Sequence, residues 1–342
     1  MRILVTGNCT PFIDGGAQSH LQGLQAALQA AGHEVATLLL PFTFSPEASI
    51  IDLMDYTQRL DWQRPNGQSI DRVISLQFPG YGIKHPEHVA WVMHQHRAVY
   101  DLYDETLATP ALRELKARVE MFDRQALTRS KRVFANSQNV AKRLQASVKI
   151  EATPLYHPPP DASLCYSAPA ESYVYFPSRV ENLKRQHLLL AAARLMRSDL
   201  KIIFSGAGGQ AAALQAAIEA EHVQDRVRYL GHVSTAEKLA LYAHASAVAY
   251  PVQDEDYGYV TLEAMLSSKP VLTCTDSGGP LEWITDGLNG WVSEPTPAAL
   301  AAQLDWIAAH PRQVAVMGQI ARESYEAAAP SWAHVVESLL AP

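Results

Sequence analysis

Cysteine is scarce in this chain: Cys9, Cys165 and Cys274 are the only three in 342 residues, odd in number and far apart. That spacing excludes a disulfide framework of the secreted kind and a zinc site of paired thiolates, and it fits a reducing cytoplasm. Long apolar runs are missing as well. Nothing reaches transmembrane length, which leaves peripheral contact at the inner face of a membrane as the only membrane option. The opening MRILVTGNCT has too short an apolar stretch before Gly7 for a secretory signal and reads as a first strand. Basic excess is absent too: 28 Lys and Arg stand against 35 Asp and Glu, a net charge of -7, which argues against a nucleic-acid partner held through its phosphates. Charge of either sign is sparse, at 18% of residues, while 48% are apolar, so there is ample core to bury and wholesale disorder is excluded.

What the chain does have is alternation. RILVT, EVATLLL, DRVISLQ, HVAWVMH and KRVFAN are strand-like, and most lead into segments with apolar residues at helical spacing. That order predicts βαβ units and a parallel sheet. Five prolines between Pro154 and Pro169 interrupt it, in a stretch where neither helix nor sheet continues easily. The alternation restarts with SYVYFPS, LKIIFSG, RVRYLG, SAVAYPV and KPVLTCT. The expected fold class is α/β with two domains, the first over residues 1–155 and the second over 156–322. Ser234 with Glu237 makes a capping-box pattern, and Thr296 before Pro297 a helix start.

Ligands of open parallel sheets bind beyond the carboxyl ends of the strands, so the loops there are where chemistry is sought. Gly15 and Gly16 precede a helix, and their bare backbone either approaches a phosphate or simply starts that helix. Arg179 and Lys184 lie in one strand-to-helix loop and suit a diphosphate, although loop charges are more commonly just solvated. Gly206, Gly208 and Ala211 match G-x-G-x-x-A, but mid-chain and without the acid that holds a ribose, so they read as a tight turn rather than an NAD site. His94 and His96 follow an apolar strand; His94, nearer the strand, is the candidate proton handler or hydroxyl ligand. The acids of DEDYGYVTLEAM, residues 254–265, have three readings: a D-x-D metal site, a solvated loop, or acceptors for ligand hydroxyls.

EDYGYVTLE, with Glu255 and Glu263 separated by seven residues around Gly258, resembles the paired-glutamate motif of retaining glycosyltransferases of family 4. GGAQSHLQGLQAALQAAGHEV, FANSQNVAKRL, PSRVENLKRQHLLLAAARL and SGGPLEWITDGLNGWV extend the resemblance over nearly the whole chain. It implies the GT-B fold, two Rossmann-like domains facing a cleft, with residues 323–342, including Trp332, as a C-terminal helix packing back on the first domain. The donor it implies is a nucleotide-diphosphate sugar, held mostly by the second domain. Arg179 and Lys184 would neutralise the diphosphate without a metal or other cofactor, and the Gly16 amide would touch it. Glu263 would bind the ribose. Glu255 and the amides of Asp256, Tyr257, Gly258 and Tyr259 would hold the sugar, with His94 near it. Transfer would retain configuration and rest on stabilising the departing diphosphate.

The resemblance puts the acceptor, a saccharide or a lipid-linked one, on the first domain, where Phe42, Phe44, Tyr56, Trp62, Phe78 and Tyr81 either line it or pack a long loop. A helical segment with seven basic residues against three acids, ALRELKARVEMFDRQALTRSKR, either touches anionic lipid or is solvated. The expected role is in glycan or glycoconjugate synthesis. Two alternatives stand beside it: a catalytically silent nucleotide-sugar-binding scaffold, and another GT-B enzyme such as a nucleotide-sugar epimerase or a sugar phosphorylase.

Overall fold

Strands covered by helices on both faces are buried along their whole length and mostly apolar, and several of these are. In the computed structural model, which describes residues 1–12 and 15–342, β3 (Arg72–Ser75) and β4 (His88–Val92) are buried at every position. With β1 (Arg2–Cys9), β2 (Glu34–Pro41), β5 (Arg132–Ala135) and β6 (Thr153–Pro154) they form a parallel sheet in the order β2-β1-β3-β4-β5-β6. Its helices are α1 (Gly16–Ala30), α2 (Glu47–Arg59), α3 (Pro110–Arg129) and α4 (Gln138–Val148). Ser137 caps α4 by accepting from the Val140 amide at 3.1 Å, and Thr109 caps α3 in the same way.

The second sheet is also parallel and six-stranded, in the order β12-β11-β10-β7-β8-β9. Its strands are β7 (Tyr173–Pro177), β8 (Lys201–Ser205), β9 (Val227–Tyr229), β10 (Ala247–Ala249), β11 (Val271–Cys274) and β12 (Gly290–Ser293). Around it run α5 (Gln186–Ala193), α6 (Ala211–Ala220), α7 (Thr235–His244), α8 (Tyr259–Leu266), α9 (Pro297–Ala309) and α10 (Pro311–Ala328). The capping box at Ser234 and Glu237 is formed, and Thr296 caps α9 with Pro297 at its first position. Read from β7, this is a doubly wound sheet whose winding reverses between β7 and β10.

The chain divides into Met1–Pro160 with Pro330–Pro342, and Asp161–Ala329. Both boundaries lie a few residues beyond the expected 155/156 and 322/323. Leu155 and His157 are 3% and 1% exposed in the first unit's core, which carries that unit past the strand end. α10 runs unbroken to Ala328 and packs on α8, so residues 323–328 stay with the second unit.

The last helix, α11 (Trp332–Leu340), belongs to the first unit. Val335 and Leu339 are fully buried in one cluster with Leu21, Leu24 and Leu28 of α1. Arg72 and Arg132 both donate to the carbonyls of Leu339 and Ala341, satisfying the helix end. Trp332 lies so close to α1 that a Cβ on Gly23 would stand 2.2 Å from its ring. Gly23→Val is therefore expected to cost the first unit about 1–3 kcal/mol by overpacking, seen as a lower denaturant midpoint; an unchanged midpoint would show that the helix does not depend on that contact.

Candidate functional site

Where a doubly wound sheet reverses, the loops leaving the two central strands part and open a crevice. In the second unit these are the loops after β7 and β10, and they carry Arg179 and Lys184 on one side and residues 254–258 on the other. The topology brings two of the candidates into contact across 71 positions of sequence: Lys184 Nζ and Glu255 Oε2 form an ion pair, with only 15% and 18% of the side chains exposed. The ammonium also lies 5.7 Å from the centre of the Tyr250 ring and 3.4 Å from its hydroxyl. Burial first, then the Glu255 carboxylate, push that hydroxyl well above the ordinary tyrosine range.

The neighbours of Arg179 are otherwise occupied. Arg185 grips Asp276 with two hydrogen bonds, at 2.8 and 2.7 Å, and Glu181 accepts from the Gly209 amide at 3.2 Å. Arg179 itself is exposed and forms no ion pair among the described residues. A cation standing unneutralised beside a strand end is what an incoming phosphate needs.

The acidic loop is fixed by the segment SGGP at residues 277–280. The Glu255 amide donates to Ser277 O at 2.9 Å and the Gly279 amide to Glu255 O at 2.8 Å, so the two loops run as a short parallel bridge. Close approach explains the glycine: a Cβ at Gly279 would meet the carbonyl oxygens of Asp256 and Tyr257 at 2.9 Å. Gly258, at φ 83°, turns the chain into α8, a conformation in which a side chain is strained. Tyr257 is buried, Asp256 and Tyr259 half-buried.

Glu263 is one turn into α8 and 4% exposed, and its carboxylate is already held by two groups that the sequence did not point to. Lys238 Nζ of α7 lies 2.8 Å from Oε1, and the Tyr242 hydroxyl donates to Oε2 at 2.7 Å. The motif G-x-G-x-x-A is a turn, as its context suggested. Cβ atoms at Gly206 and Gly208 would stand 2.0 and 2.4 Å from the carbonyl oxygens of Ser178 and Val180, so these glycines let the loop after β8 lie against the loop carrying Arg179. No three His, Cys, Asp or Glu side chains come together as metal ligands among the described residues.

Two candidates lie in the first unit. Gly16 is exposed at the start of α1, next to residues 13 and 14, which lie outside the described residues. His94 and His96 separate clearly. His96 is 8% exposed, stacked on Phe78 at 5.4 Å, and burial, followed by the nearby charge of His94, lowers it to about 4. His94 keeps an accessible face and engages the Gln95 carbonyl through Nδ1 at 2.9 Å.

Two Rossmann-like units of this construction define the GT-B fold, and comparison with known proteins agrees. Residues 167–324, all within the second unit, match the family described as glycosyl transferases group 1. D-inositol 3-phosphate glycosyltransferase of Nocardia farcinica is 28% identical over 249 residues, 65% of this chain and 54% of that protein. The chain thus spans about half the length of that curated relative. Among solved structures, HepE of Anabaena in complex with UDP and glucose superposes with a TM-score of 0.72 at 18% identity, covering 99% of each chain. Sucrose-phosphate synthase of Thermosynechococcus elongatus gives 0.78 at 16%, covering 99% of this chain and 97% of that one. No helix among the described residues is long and apolar enough to cross a membrane.

Proposed function

We propose that the chain is a glycosyltransferase that moves a sugar, with retention of configuration and without a metal, from a nucleotide-diphosphate sugar to a saccharide or lipid-linked acceptor in glycan or glycoconjugate synthesis. The observation that carries this reading is the meeting of Lys184 and Glu255, beside an uncompensated Arg179, at the reversal point of the sheet that matches the group 1 family. UDP and glucose in the HepE complex support a donor of that kind.

On this reading Arg179 and Lys184 take up the charge that develops on the diphosphate as it leaves, the dominant catalytic contribution where preorganised cations face developing negative charge. Glu255 and the amides of Asp256, Tyr257, Gly258 and Tyr259 hold the sugar hydroxyls. Its pairing with Lys184 fixes the Glu255 carboxylate before a donor arrives, so little reorganisation is needed on binding. Glu263, held by Lys238 and Tyr242, offers its remaining lone pairs to the ribose. The same reading gives the Gly16 amide a contact to the diphosphate and His94 one to the sugar.

The test is transfer from a panel of UDP-, GDP- and ADP-sugars in EDTA, with the anomeric configuration of the product read by NMR. The expected product keeps the configuration of the donor, and EDTA leaves the rate unchanged. An inverted product, or activity abolished by EDTA, removes the corresponding half of the proposal.

A further inference from the structure

Six aromatic side chains of the first unit are candidates in the sequence for an acceptor wall, and the structure sorts them. Phe42, Phe78 and Tyr81 are core residues of a single cluster. Trp62 packs in a second, smaller cluster, and Tyr56 sits on an exposed part of α2. Phe44 alone combines exposure, 65%, with a position just beyond the carboxyl end of a strand.

A seventh ring, Phe12, outside that set, follows the carboxyl end of the neighbouring strand β1. Cys9 and Pro41 are register partners at the ends of β1 and β2, and Phe12 and Phe44 each lie three residues further along. The hydroxyl of Thr10 donates to the Phe42 carbonyl at 3.2 Å, joining the two segments. Phe12 is fully exposed and adopts φ 64°, the left-handed region that bulky residues avoid. An exposed ring and a strained backbone together return no packing, and strain of this sort gathers where ligands bind.

Phe44, by contrast, is rigidly backed. It meets the buried Phe42 edge to face at 5.1 Å, and Phe42 in turn meets His96 at 6.2 Å and Phe78 at 6.4 Å. A line of rings therefore runs from the loop after β2 to the loop after β4 that carries His94. A ring held in this way loses little freedom when something stacks on it.

We propose that Phe44 and Phe12 form a platform on which a neutral sugar ring of the acceptor stacks. The inference rests on the glycosyltransferase reading and adds the class of acceptor. Residues 8–12 and 41–46 contain no charged side chain, only rings, prolines, Cys9 and the uncharged polar groups of Asn8, Thr10, Thr43 and Ser45. A phosphorylated sugar would need a guanidinium or ammonium there, and an anionic lipid surface a basic cluster. The C–H face of a pyranose needs neither and suits an aromatic face, while its hydroxyls suit the threonines and serine.

The test uses the full chain, first shown to bind a nucleoside diphosphate. Transfer is measured to methyl pyranosides, to the corresponding sugar 6-phosphates, and to vesicles containing anionic glycolipid. Methyl pyranosides are the expected acceptors. F44A is expected to raise the acceptor KM roughly tenfold and F12A about threefold, while F44W stays within about threefold of the wild type. The affinity for nucleoside diphosphate is expected to stay constant throughout, which separates lost stacking from a damaged fold. An unchanged acceptor KM in F44A, preference for the phosphorylated sugars or the vesicles, or no transfer to any methyl pyranoside would overturn the platform and leave the donor reading standing. Failure of the wild type to bind any nucleoside diphosphate would instead remove the glycosyltransferase reading on which the platform rests.

Discussion

Replacing Lys184 by Met is expected to lower kcat/KM for sugar transfer by about 10²–10³-fold, the range seen when one preorganised group facing developing negative charge is removed. Two effects act together. The leaving diphosphate loses a compact positive charge, and Glu255 loses the cation that pairs with it in the folded chain. Most of the loss is expected in kcat, because charge on the bridging oxygen grows toward the transition state. Lys184→Arg keeps the charge but not the compact geometry and is expected to fall between the two. Steady-state kinetics with the donor varied at fixed acceptor measures this. A K184M variant within about threefold of the wild type would exclude Lys184 from the chemistry.

The second large effect is loss of stability in acid, confined to the first unit. His20, His88 and His157 are buried there as neutral imidazoles. Burial lowers His20 and His88 to about 3, and holds His157 well below its ordinary value. His96 is lowered to about 4. His20 stacks on His157 at 4.0 Å and meets Trp91 edge-on at 4.1 Å, and neither of its ring nitrogens has a hydrogen-bond partner among the described residues.

The sign follows from proton linkage. Below pH 6.5 the unfolded chain binds protons at these imidazoles and the folded chain does not, so stability falls as pH falls. From neutral pH to pH 5, His20, His88 and His96 together cost about 6 kcal/mol, at about 2 kcal/mol each. Asp123 acts in the opposite direction. Fully buried and accepting from the hydroxyls of Tyr81 and Tyr100 at 2.7 and 2.8 Å, it is raised by burial to about 6, so the folded state binds its proton more tightly than the unfolded one over the same range. That returns only about 1–1.5 kcal/mol at pH 5. The net loss from His20, His88, His96 and Asp123, about 4–5 kcal/mol before the further loss at His157, is a large share of a typical domain's stability. Urea denaturation followed by tryptophan fluorescence at pH 7.5 and pH 5 reads it, since Trp91 and Trp332 adjoin the stacked imidazoles. A first-unit midpoint that does not move between those pH values would contradict the account.

The strands and the two sheets were legible because apolar runs and helical periodicity are local properties of sequence, whereas the return of the terminal helix to the first unit came from the family resemblance alone, since periodicity does not say which sheet an amphipathic helix covers. The loops worth searching were legible too, since ligand sites of parallel sheets follow strand ends. Pairing within those loops was not. Lys184 meets Glu255 only because β7 lies beside β10 in the sheet although two strands intervene in the chain, and periodicity carries no strand order. The same holds for Arg185 with Asp276, and for Lys238 and Tyr242 with Glu263; nothing in the surroundings of Lys238 distinguishes it from a solvated helix lysine. The aromatic segment shows a different gap. Phe42 and Phe44 are two residues apart, and a strand's alternation extends just far enough to predict that both face one side, but not that only Phe42 is covered.

The central claim is that the reversal point of the second sheet binds the diphosphate of a nucleotide sugar through Arg179 and Lys184. Isothermal titration of UDP, GDP and ADP into the wild type and into K184M, all in EDTA, tests it most directly. The account predicts that one of the three binds the wild type and that K184M weakens it by about tenfold or more, the size of one lost charge-assisted contact. Equal affinity in the two proteins, or no binding of any of the three, would contradict it.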